Sequence, residues 1–193
     1  ILGQRRPAAV ARLPQTLGPM RFRFPMRWPQ SEQPFSVYCL RAWPTAMIPS
    51  LLLVTVVHSI FGFAGIGTAD LSPHEFPLDT ATVVIIALVT PMVETLFLAF
   101  AIGSLGLLSF PAKHVAVASA LGWGICHGAL APLWFFGAVW SFFVFSTAYI
   151  TWRPVSFWHA FFGAAIPHIL VNSSVLAMLL SVELLTASRA HEA

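Results

Sequence analysis

Apolar residues fill this sequence in long blocks rather than in a one-sided helical stripe, and short polar or proline-bearing breaks separate the blocks. The blocks fall at about 46–66, 81–110, 114–131, 133–152 and 157–182. Each is long enough to cross a bilayer as a helix, which takes roughly 17–25 residues. A helix that is apolar all round belongs in a large core or a membrane. The pattern therefore predicts an all-α fold, a polytopic transmembrane helix bundle of about five spanning helices.

The flanks read differently. Residues 1–45 are rich in Pro and Arg and show no helical period, so they are predicted to form a poorly ordered basic arm. An aromatic patch near the interface (Phe35, Tyr38, Trp43) belongs to that arm. Residues 46–185 form the transmembrane domain and 186–193 a polar tail. The first block has small residues after it, Gly67-Thr68-Ala69, where a signal peptide could be cut. Its long basic flank and its length favour an uncleaved anchor.

Composition agrees with the pattern. The chain is 58% hydrophobic and 9% charged, with a mean hydropathy of +0.80, whereas soluble domains carry roughly 25% charged residues. Fifteen prolines and twelve glycines suit broken and capped helices. Two cysteines, Cys39 and Cys126, give neither a disulfide framework nor a zinc spacing, and Cys126 is expected to be a small core residue.

Charge supplies an orientation. Seven of the ten basic residues precede the first apolar block. A basic arm can bind nucleic acid, but ahead of a hydrophobic span its commoner role is topological, and no nucleic-acid partner is predicted. The N-terminus is expected in the cytoplasm, with its arginines free to lie on anionic lipid headgroups. The acidic loop of Asp70, Glu75 and Asp79 then falls outside, and Lys113 and Arg153 mark inner turns. The expected location is the cell membrane, as a multi-pass protein of a bacterial inner membrane.

Against this background Glu94 stands out, in Pro91–Phe100, PMVETLFLAF, with no Lys or Arg in its block. An ionisable group at that depth costs at least ~2.5 kcal/mol and is a functional hypothesis by default. With a helical rise of about 1.5 Å per residue, Glu94 lies roughly 24 Å from Phe110. His127 lies about 21 Å from Lys113, and His168 about 22 Å from Arg153. Three helices therefore bring Glu94, His127 and His168 to one layer. Asn172, four residues after His168, shares its helix face.

Desolvation and a neighbouring imidazolium pull a carboxyl's proton affinity in opposite directions, a balance that can poise a general base near neutral pH. Glu94 can then deprotonate water for attack on a peptide carbonyl. His127 can hold the water or protonate the leaving amine, and His168 and Asn172 can donate to the oxyanion. Pro91 and Pro167 can open room for water beside the site. Each residue also has a plain structural reading: Glu94, His168 and Asn172 as interhelical glue, His127 as a satisfied core histidine, Trp123 as packing. His58 is expected to be a buried histidine bonded to a neighbouring helix, and His114 and His159 to be interfacial.

These residues resemble the motifs of the CPBP family, intramembrane glutamic proteases that include the CAAX prenyl endopeptidases and bacteriocin-processing or abortive-infection proteins. The family's first motif is a Glu-Glu pair with a proline three residues before it and an Arg five residues after the first Glu. Pro91 and Glu94 match it, while Thr95 and Ala99 replace the second Glu and the Arg. Trp123 and His127 match an aromatic residue four before a His, and His168 and Asn172 match a His with Asn four later. The resemblance covers 81–175. It implies a helical membrane protease with Glu94, His127, His168 and Asn172 as catalytic residues, no cofactor, and a peptide or membrane-associated protein as substrate.

Three other functions compete. Loss of the second Glu and the Arg fits a catalytically silent relative that acts as an immunity factor or interaction partner. A zinc site of Glu94, His127 and His168 suits those residue types but lacks a short-spaced His pair, so no metal is predicted. A transporter or proton relay fits less well, because no inverted repeat is visible.

Overall fold

The structure, a computed structural model, describes residues 33–67, 79–108 and 110–192. Among them are helices and turns only. The elements are α1 (Phe35–Phe63), α2 (Thr80–Val84), which runs through a π-helical segment (Ile85–Val89) into α3 (Thr90–Leu107), then α4 (Ala112–Leu130), α5 (Pro132–Trp152) and α6 (Phe157–Glu192). Taking α2 to α3 as one rod, five long helices form the bundle.

Four of the five are long and apolar enough to cross a membrane: Phe35–Phe63, Thr80–Leu107, Pro132–Trp152 and Phe157–Leu185. This is the make-up of a multi-pass membrane protein. The remaining helix, α4, is 19 residues long. Lys113, His114, His127 and three glycines, spread along its short length, leave it no span-length stretch as apolar as those of the other four. The predicted span at 114–131 therefore exists as a helix without the apolar composition of its neighbours.

α5 is the centre. Of its apolar window 56% is buried inside the bundle, twice or more the share of the other three spans, and it packs against α1, α3, α4 and α6. Its turn from α4 is a single extended residue, Ala131, before Pro132 at the first helical position, where a missing N–H costs nothing. The two helices then run back to back with almost no gap. A Cβ on Gly128 would lie 2.9 Å from Phe135 Cβ, and one on Gly124 would overlap Val139 Cγ2. Only glycine permits that approach.

α1 begins at Phe35, not near Ala46. The stretch assigned to the arm is helical from Phe35 onward, and Tyr38, Ala42, Ala46 and Ser50 form a buried i, i+4 stripe continuous across the predicted boundary. Phe35 and Tyr38 pack edge-on against Trp152 at 5.1 and 5.5 Å, so the aromatic patch packs onto the core at this end of the bundle. Residues 1–32 of the arm lie outside the described residues, as do Asp70 and Glu75 of the acidic loop. The polar tail is helical as far as Glu192, a continuation of α6.

A proline inside a helix leaves a carbonyl without its backbone donor, and in α1 a side chain of another helix takes one such carbonyl up. Pro49 deprives Thr45 of its i+4 donor, and Trp140 of α5 donates its Nε1–H to the Thr45 carbonyl at 2.8 Å. The Ser50 and Ser141 hydroxyls bond at 2.8 Å across the same pair of helices. At the opposite end Asp79 caps α2, accepting from the Thr82 N–H at 2.8 Å. That bond holds its carboxyl below the ordinary value of 3.8. Ser156 caps α6: its Oγ accepts the His159 N–H at 3.0 Å and its hydroxyl lies 2.8 Å from His159 Nδ1.

Two further expectations are corrected. His58 is exposed on α1, not buried against a neighbour. Cys126 is exposed as well, on the side of α4 turned from the core. His114 and His159 are exposed near helix starts, at the ends where the sequence placed them.

Candidate functional site

Glu94 sits one turn into α3, on the face that buries Pro91, Thr95, Leu98 and Ile102. Its carboxylate meets two imidazoles on two other helices. Oε1 is 3.7 Å from His127 Nε2, near the end of α4, and Oε2 is 3.4 Å from His168 Nε2, in the first half of α6. The acid is only 18% exposed and His168 4% exposed by side chain. Glu94 is thus turned into the bundle rather than toward lipid. Among the described residues no group of three His, Cys, Asp or Glu side chains has an arrangement that could hold a metal ion.

The orientation of each imidazole has a cause. His127 Nδ1 lies 2.9 Å from the Trp123 carbonyl. A carbonyl only accepts, so Nδ1 carries the hydrogen and Nε2 is the atom presented to Glu94. His168 is fixed by packing: its ring stacks on Phe145 at 4.5 Å and meets Phe142 edge-on at 5.2 Å. Phe142 also touches His127, at 5.2 Å, and stacks on Trp123 at 4.7 Å. One α5 phenyl ring therefore walls both imidazoles. Phe142 and Phe145 were not among the predicted site residues. The signal that points to them is their i, i+3 spacing on the most buried helix.

Two buried polar atoms at this level have no hydrogen-bond partner among the described residues, His168 Nδ1 and Thr95 Oγ1. Thr95 is 1% exposed, at the position where the resemblance expects a second carboxylate. Ala99 adds no polar group.

Asn172 behaves differently from the other three. Its Nδ2 donates to the Ile86 carbonyl at 3.0 Å, across to the π-helical segment. The structure brings Glu94, His127 and His168 together and leaves Asn172 one turn further along α6, bonded to backbone. Comparison of the chain with protein-family models, with curated proteins and with solved structures finds no match.

Proposed function

We propose that Glu94, His127 and His168 form a hydrolytic site and that the chain is an intramembrane endopeptidase of the glutamic type. The observation that carries this reading is the acid itself, held between two imidazoles from separate helices in an apolar bundle, with no Lys or Arg in α3 to neutralise it. The resemblance to the CPBP motifs supplies the substrate class, a peptide or membrane-associated protein.

In this reading the Glu94 carboxylate takes a proton from water as the water oxygen bonds to the peptide carbonyl carbon. An N–H of His168 stabilises the oxyanion. The C–N bond then breaks, and the leaving nitrogen receives the proton from Glu94, directly or through His127. The products are a carboxylic acid and an amine.

Orientation belongs to the same proposal. Phe35, Trp152 and His159 meet at one end of the bundle, which Arg153 shares. Asp79 lies at the other end of the fold, one crossing away. With positive residues retained inside, the Arg153 end faces the cytoplasm of a cell whose membrane holds the protein.

The test is cleavage of a fluorogenic peptide library by the purified chain in lipid nanodiscs. Glu94→Gln should reduce turnover by about 100-fold or more, the usual worth of a general base. A folded wild-type chain that cleaves no peptide refutes the proposal. Thr95 and Ala99 favour a second reading, a silent membrane partner protein. Under that reading Glu94→Gln accumulates normally and retains its cellular phenotype.

A further inference from the structure

The bond made by Asn172 answers a defect in the opposite helix. In an α-helix the Thr90 N–H would serve the Ile86 carbonyl. Here Thr90 is drawn one residue back and donates to Ile85. In the π register the donor for Ile86 would be residue 91, and residue 91 is a proline without an N–H. Bulge and proline together strip the Ile86 carbonyl of both backbone partners. On a helix facing lipid, no water is at hand to replace them. The Asn172 amide reaches across from α6 and bonds it.

The consequence extends to the site. Asn172 is one turn beyond His168 on α6, and Ile86 about two turns before Glu94 on the partner helix. The two helices that present the acid and the imidazole are thereby clamped beside the place where they meet. Were the bulge to slip back to α register, the segments on its two sides would rotate by roughly 100° relative to each other. π-Bulges recur at functional sites because they aim one face of a helix independently of the rest.

We propose that Asn172 is a positioning residue: by occupying the carbonyl that Pro91 leaves open, it holds the Glu94 carboxylate opposite His168. Only the activity arm of its test rests on the hydrolytic reading above.

The experiment uses the full chain in nanodiscs and follows the infrared carboxyl band assigned to Glu94 by its loss in Glu94→Gln. Asn172→Leu should shift the titration midpoint of that band by about one pH unit, the scale of one altered close contact. Adding Pro91→Ala should return it, because residue 91 then supplies the missing N–H. An unchanged midpoint in Asn172→Leu overturns the inference, and so does a double variant that keeps the shift. If Asn172→Leu fails to accumulate, recovery of accumulation by Pro91→Ala reads the same coupling, and no recovery overturns it.

Turnover separates this inference from the parent reading. Hydrolysis lost in Asn172→Leu and restored by Pro91→Ala supports positioning. Loss that Pro91→Ala does not restore makes Asn172 a direct donor to substrate and overturns it. A wild-type chain that cleaves nothing refutes the hydrolase while the infrared result stands.

Discussion

At Gly124 the α4 backbone passes so close to Val139 that a single added methyl has no room. Replacement by alanine should lower stability by about 1–3 kcal/mol, the range for overpacked cores, read as an earlier unfolding midpoint in a denaturing-detergent titration. Val139→Ala in the same chain should recover part of the loss. Gly122→Ala, with open space around it, is the control and should be neutral. At this scale the sequence revealed chemistry better than direction. Glu94, His127 and His168 were legible because a lone acid and two imidazoles fell at matching depth in apolar helices. His58 and Cys126 were misplaced because lipid and core are both apolar, so such helices carry little record of which face looks inward. Asn172 was legible as a polar partner of His168, but its bond was not, since a carbonyl orphaned by a bulge leaves no mark on residue identity.

α1 and α5 show what holds one helix to another when both would be equally soluble in lipid. Trp140 takes the carbonyl that Pro49 frees, and one turn away Ser50 meets Ser141. Trp140→Phe keeps most of the ring area but leaves the Thr45 carbonyl unbonded, a cost of about 1–3 kcal/mol. Pro49→Ala should cancel most of that cost by restoring the backbone donor. Unfolding midpoints of the two single variants and the double variant check it, and additive losses would refute the pairing. The sequence reading ran its first span through Pro49 but began it after Pro44, whereas α1 runs through both prolines. Its start at Phe35 was hidden because the Pro- and Arg-rich composition nearby masked a stripe of small residues at i, i+4 spacing.

Among the described residues the other four rods pack against α5, with α1 beside α6, α6 beside α3 and α3 beside α4, and large apolar side chains such as Phe97, Phe100 and Leu52 are turned outward. The number of rods could be read from the breaks between apolar blocks, whereas the central place of α5 could not, because centrality depends on packing rather than on hydropathy. α4 is the exception among these rods, the one without a stretch apolar enough to count as a span, and it is tied to α5 through one residue and two glycines. It should not integrate alone. A chain truncated after Leu130 should leave Cys126 open to a membrane-impermeant thiol reagent, and extension through Trp152 should protect it by carrying both helices in as a hairpin. Equal labelling of the two lengths would show that α4 partitions unaided. Biogenesis then acquires an order: His127 waits in water until its neighbour has been translated, only then reaches the acid, and the second imidazole, His168, arrives last with the final helix.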